Sequence, residues 1–182
     1  MLVFWQHGYE STSISDLTAA MGVTAPSIYT AYGDKKRLFL EAMYLYAGPP
    51  EQLQRSLDQA ATARDAASTM LISAANALSG NATPRGCLLA SATASGSTGS
   101  ADVQKAVADV RHNIIARLKD RIDRDIAAGI LPETTSAAVL AALVVTVIQG
   151  LSVLARDGVA RESLILVAKC AMEAWPISPT NG

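Results

Sequence analysis

Thr24, Ala25, Pro26, Ser27, Tyr29 and Thr30 are the residues here whose types and spacing best suit a chemistry, contact with a nucleic-acid duplex. Thr24 stands where an N-cap belongs, and Pro26 follows in the first turn, where a missing N–H costs no intrahelical bond. A helix starting there offers hydroxyls beside unpaired backbone N–H groups at its positive end, which favours phosphate. Tyr29, Thr30 and Lys35 add donors that position a backbone without reading it. Base contact falls to Ala25, Pro26 and Ser27, through methyl groups and a hydroxyl; no Arg, Asn or Gln stands there for a bidentate bond. Ser13 is counted with these candidate contacts. Contacts this light make pairing of two copies on one duplex important.

The elements that must hold these residues are written around them. Ser13 and Asp16 form a capping pair, and Ile14, Leu17, Ala20 and Met21 fall on one helical face. Gly22 stands where a helix stop needs a positive φ, and Val23 is expected to plug the angle before the next helix. Ile28 and Tyr32 point back to a core. Gly33-Asp34 breaks the chain, and Asp34 is expected to cap a helix through Leu38, Phe39, Ala42 and Met43. Two short helices about a glycine turn occur in many folds, so the pattern alone leaves DNA binding open.

Taken together, Phe4, Gly8, Tyr9, Thr12, Ile14, Leu17, Gly22, Val23, Ser27, Ile28, Tyr29, Tyr32, Lys35, Leu38 and Phe39 closely resemble the N-terminal domain of the TetR family of one-component bacterial regulators. Pro84 to Leu89 (P-R-G-C-L-L) and the closing A-R-D-G and A-W-P resemble one branch of such regulators. The resemblance implies an obligate homodimer that releases operator DNA when its C-terminal domain binds a small-molecule effector. Carried over by position, Thr24, Ala25, Pro26, Ser27, Tyr29, Thr30 and Lys35 would contact DNA. Two departures stand out. The basic residue that members often carry at the position of Ala25 is absent, and Met1 falls well inside the family's first helix. In residues 1–47, Lys35, Lys36 and Arg37 face Glu10, Asp16, Asp34 and Glu41, a formal balance of −1 where a duplex-binding domain is normally basic. A trimmed or misassigned start would explain this. The alternative is a ligand-binding or dimerisation protein that has lost DNA binding through its shortened first helix.

The expected fold class is all-α, with a helix-turn-helix domain at residues 1–47 and an effector-binding and dimerisation domain at 48–182, divided at Gly48-Pro49-Pro50. Half of the 182 residues are apolar and few are aromatic, which points to Ala/Leu/Val-rich helix packing. Helices are expected near residues 51–61, 63–78, 86–95, 101–128, 134–157 and 161–175, with a flexible connector at 95–100 and a frayed tail at 176–182. In the longest, Val103, Val107, Val110, Ile114, Leu118, Ile122 and Ile126 recur at three- and four-residue steps. Its run Lys119, Asp120, Arg121, Asp123, Arg124 and Asp125 reads as a solvated face. Residues 137–155 carry no charge and are long enough to span a bilayer, but burial between a domain and a partner subunit is the favoured reading. Thr146, Gln149 and Ser152 then share a polar side.

The two helices at 134–157 and 161–175 hold more apolar surface than one domain covers, which suggests an isologous homodimer. Its twofold axis would set two reading helices about one DNA turn apart. An apolar pocket among the middle helices, lined by Met70, Leu71, Cys87, Leu88 and Leu89, is expected to take an uncharged or aromatic effector. Cys87 follows Arg85-Gly86 at a helix start, where a cation and the dipole would favour thiolate, so a redox or electrophile sensor stands beside the plainer reading of a packed residue. His7 and His112 have no cysteine or carboxylate at metal spacing, and no acid, base and nucleophile fall into a catalytic set. Neither metal, cofactor nor enzymatic activity is expected, and no signal peptide is seen; the expected location is cytoplasmic, away from membranes.

Overall fold

The computed structural model describes residues 1–92 and 100–176, and every regular element among them is helical. Four short helices come first: α1 (Leu2–Ser11), α2 (Ile14–Met21), α3 (Ala25–Tyr32) and α4 (Lys35–Ala47). Then follow α5 (Pro50–Gln59), α6 (Ala63–Leu78), α7 (Leu88–Ser91), α8 (Ala101–Ala127), α9 (Ala137–Arg156) and α10 (Arg161–Ala171), closed by a 3-10 turn at Met172–Ala174. All but Ser100 of the expected connector, and all but Pro176 of the expected tail, lie outside the described residues.

Aromatic contacts nucleate the N-terminal helices. Phe39 is fully buried on α4, and the rings of Phe4 and Tyr9 meet it edge-on at 5.2 and 5.1 Å. Each such pair adds about 0.5–1.5 kcal/mol beyond area burial. Leu17 and Ile28 bring α2 and α3 onto the same cluster. The expected apolar face of α2 is narrower than its spacing implied: Leu17 is buried, while Ala20 and Met21 face solvent. Val23 is exposed as well and plugs nothing. With α2 only two turns long, one leucine and the half-buried Ile14 anchor it.

The longest helix corrects a larger expectation. Arg121 and Asp125 on α8 are buried, so the alternating charges are not all solvated. They pair with each other, and both close the turn between α5 and α6. Arg121 Nε donates to Leu57 O at 3.1 Å and Nη2 to Ala61 O at 3.1 Å. Asp125 Oδ2 accepts from the Ala63 N–H at 2.6 Å, at the positive start of α6. Helical periodicity shows which side of a helix a charge is on, not whether a carbonyl-rich turn waits opposite it. The remaining charges do sit outside, as i,i+4 and inter-helix pairs such as Lys119–Asp123 and Arg124–Asp58.

α9 is long and apolar enough to cross a membrane by length and composition. Leu140, Ala141, Val144, Leu151 and Ala155 pack into the common core against α6, α8 and α10. Ser152 was expected beside Thr146 and Gln149. It is fully buried instead, and its Oγ accepts the Cys87 N–H at 2.8 Å. The expected helix at 86–95 shrinks to the four residues of α7 within the described stretch. α9 starts at Ala137 rather than 134, because Ser136 caps it after the turn in which Thr135 N–H bonds Pro132 O.

Removing one partner of a buried pair leaves the other charge uncompensated, which costs about 3–5 kcal/mol. Asp125→Ala is therefore expected to lower the unfolding free energy by about that much, measured by urea denaturation. Asp120→Ala, on the exposed side of the same helix, should change it by less than about 0.5 kcal/mol.

Candidate nucleic-acid interface

The turn between α2 and α3 is set by caps at each end. Ser13 Oγ accepts from the Asp16 N–H at 3.1 Å, and Asp16 Oδ2 accepts from the Ser13 N–H at 2.8 Å. The hydrogen bonds from Ser13 hold the Asp16 carboxyl below its ordinary pKa. Gly22 closes α2 in the left-handed region, φ 67°. Thr24 then opens α3: its Oγ1 accepts from the Ser27 N–H at 3.4 Å and lies 2.9 Å from Ser27 Oγ. Asp34 caps α4 through the Arg37 N–H at 2.7 Å.

The outer side of α3 is open. Thr24, Pro26, Ser27, Tyr29 and Thr30 are exposed, Ala25 is half-buried, and Ile28 turns inward. Fewer backbone donors are free at the helix start than the bare pattern suggests. Pro26 has none, Ser27 N–H serves Thr24, and Ile28 N–H bonds Thr24 O at 3.3 Å. Ser13 lies at the start of α2, with its hydroxyl donating to Asp16 Oδ2 at 2.7 Å.

Lys35 is placed elsewhere. Its ammonium donates to Tyr9 O at 3.1 Å and Thr12 O at 2.9 Å, and lies 4.5 Å from the centre of the Tyr9 ring. It neutralises the carbonyl end of α1. Lys36 pairs with Asp102 at 2.9 Å and so links α4 to α8. Arg37 remains. It is exposed, makes no ion pair among the described residues, and reaches over the end of α3, where an added Cβ on Gly33 would lie 3.3 Å from its Nη1. Sequence reasoning passed over Arg37 because three consecutive cations look alike. Only the fold separates the one on carbonyls, the one on a carboxylate and the one without a partner.

Behind these helices lies the junction to the rest of the chain. Trp5 Nε1 donates to Gly86 O at 2.9 Å, and its ring meets Tyr46 edge-on at 4.8 Å. Trp5 O accepts from Ser91 Oγ at 3.1 Å and from Arg156 Nη2 at 2.9 Å. Arg156 also bonds Ser91 Oγ. Gly86, at φ 84°, leaves no room for a side chain, since an added Cβ would lie 2.6 Å from Arg156 Cγ. Cys87 is buried in this junction, with Tyr46 Oη donating to its Sγ at 3.4 Å. Burial, and then the neighbouring Cys87, push the Tyr46 hydroxyl far above its ordinary pKa.

The environment expected for a reactive thiol is not assembled. Arg85 directs Nη2 to Val159 O, and α7 is a single turn. Cys170 is exposed, and both cysteines are free. His7 and His112 are exposed. No group of three metal-ligating side chains occurs among the described residues.

A largely apolar cavity of about 390 Å³ lies where α4 ends, lined by Tyr44, Pro49, Leu53, Met70, Val110 and Ile148, with Asp109 and Asn113 on the α8 side. Of the five expected lining residues, Met70 is there. Leu71, Cys87, Leu88 and Leu89 are packed in the core and do not line it. Apolar composition cannot tell a residue facing a void from one filling the space beside it.

Capped helices around a glycine turn, followed by a helical body with an apolar cavity, define a helix-turn-helix regulator. Residues 1–42 match the family described as "Bacterial regulatory proteins, tetR family", and residues 69–159 the "Tetracyclin repressor-like, C-terminal domain". A cysteine-substituted form of the TetR family regulator CifR, solved in complex with a 26-bp double-strand operator DNA, is 38% identical, with a TM-score of 0.90 over 96% of this chain and 92% of that one. A regulator from Rhodococcus sp. RHA1 is 32% identical, with a TM-score of 0.66 over 96% of this chain and 93% of that one. The repressor ComR of Escherichia coli (strain K12) is 29% identical over 179 residues, 97% of this chain and 85% of ComR. The chain belongs to the TetR family of DNA-binding transcriptional regulators, and these relatives are regulators rather than enzymes.

In the folded protein a labelled maleimide at neutral pH should modify Cys170 quickly and Cys87 only on unfolding. Peptide mass spectrometry after timed quenching reads both sites, and comparable rates would contradict the sealed junction.

Proposed function

We propose that the chain is a cytoplasmic transcriptional repressor that binds a pseudo-palindromic operator as a homodimer and leaves it when a small effector binds. Residues 1–47 form the reading head, and residues 48–182 carry the effector cavity and the dimer surface. The observation that carries this reading is α3, fixed by the Thr24 cap with its outer side exposed. The likeness to CifR, solved on operator DNA, and to the repressor ComR supports it.

Thr24, Ala25, Pro26, Ser27, Tyr29 and Thr30 are the proposed contacts, with Arg37 as the phosphate cation in place of Lys35. Ser13 serves by capping α2. Phosphate contacts supply affinity and its salt dependence, and the small side chains at the start of α3 supply modest readout. The cavity touches Tyr44, Ala47 and Gly48 at one end of α4, and Arg37 stands at the other. An apolar or aromatic effector that prefers a displaced α4 therefore shifts the population toward heads poorly spaced for DNA. The dimer surface is the outer side of α9 and α10, where Val139, Val153, Leu154, Leu166 and Val167 are exposed.

A gel-shift with the flanking intergenic DNA tests the reading. A sequence-dependent shift weakened by salt is expected, and its absence would defeat the proposal. Arg37→Ala should lower the steepness of the salt dependence by about one unit and weaken all sequences alike, as loss of one phosphate contact does. Light scattering on a sizing column tests the dimer. The unaltered chain is expected at twice its monomer mass, and a Val153→Asp, Leu166→Asp double variant at the monomer mass with its helical signal retained.

A further inference from the structure

A second cleft, of about 490 Å³, opens between α1, the loop before α7 and the end of α9. Its lining is polar and cationic where the first cavity is apolar: Gln6, Asn81, Thr83, Arg85 and Arg156. Protein acceptors hold both guanidinium groups in place without neutralising them. Arg85 Nη2 donates to Val159 O at 3.2 Å, and its Nε is buried with no acceptor among the described residues. Arg156 Nη2 is fixed on Trp5 O and Ser91 Oγ, and its stem presses on the Gly86 backbone. The ion pairs among the described residues engage Lys36, Lys105, Lys119, Arg121 and Arg124, and none of them reaches Arg85 or Arg156. Two fixed, unneutralised guanidinium groups beside neutral hydrogen-bonding side chains are a receptor for an oxyanion.

We propose that this cleft binds a small polar organic anion, with its carboxylate or phosphate group at Arg85 and Arg156 and its neutral polar groups at Asn81, Thr83 and Gln6. The volume falls in the range of small-molecule sites, about 300–1,000 Å³. The guanidinium fork accepts either oxyanion, so the chemistry of the head group is shared between the two classes. The site stands apart from the apolar cavity and does not depend on that cavity holding an effector. Arg156 also ties α9 to α1, so an occupant drawing on Arg156 competes with the Trp5 carbonyl.

Calorimetric titration of the full chain at constant ionic strength, with inorganic phosphate in one arm and malonate in the other, tests the site without DNA. Saturable binding of one probe per chain is expected, weakened by at least about tenfold in Arg85→Gln, which removes one charge-assisted contact. The preferred arm separates phosphate from carboxylate ligands. In the unaltered protein, the same probe should slow modification of Arg85 by an arginine-directed dicarbonyl reagent, read by peptide mass spectrometry, and leave the exposed Arg64 unaffected. This labelling decides the matter if Arg85→Gln does not fold. The proposal fails if neither probe binds saturably, or if binding persists in a folded Arg85→Gln, or if Arg85 labelling is unprotected.

Discussion

Trp5 is tied to the chain at three places, and each goes to a different element. Its indole N–H holds the Gly86 carbonyl, its ring packs on Tyr46 of α4, and its own carbonyl receives Ser91 of α7 and Arg156 of α9. A tryptophan in a core normally contributes area. This one also satisfies a buried loop carbonyl and fixes where the first helix lies against the rest. The reading helix α3 is short and packs through α2 and α4, so its position derives from this junction rather than from its own core. Gly86 and Ser91 could not be replaced independently of Trp5, since the three are parts of one hydrogen-bonded cluster.

Much of this was legible in the sequence, and the successes have a common physical basis. Ser13 with Asp16, Thr24 with Pro26, and Asp34 act within three residues of themselves, so spacing alone locates the caps and the turns between them. Helices α6, α8 and α10 begin at the expected residues because helix starts carry local signals. Non-local partnerships were hidden. Nothing near Arg121 and Asp125 announces that the turn at residues 60–62 lies opposite them. Nothing near Ser152 announces the Cys87 amide. The candidate site divides the same way: the exposed residues of α3 follow from its period, while Lys35 and Arg37 differ only in what the fold brings to them.

The near-neutral head makes chemical sense once its cations are separated by task. Lys35 closes the end of α1 and Lys36 links α4 to α8, so both hold the head together. A structure that commits two of three cations internally leaves little bulk attraction for a polyanion. Affinity must then rest on pre-set geometry and on two heads acting together, which raises the importance of whatever fixes their spacing.

Gly8 gives the first helix an unusual boundary condition. The backbone turns there at φ 79°, and an added Cβ would lie 2.9 Å from the Ser91 carbonyl oxygen, so main chain faces main chain with nothing between. Side chains at a joint act as springs, because rotamers yield before backbones do. Here there is no spring. A displacement of α7 reaches α1 at nearly full amplitude, like one gear tooth against another, and the chain has traded mechanical compliance at this point for fidelity of transmission.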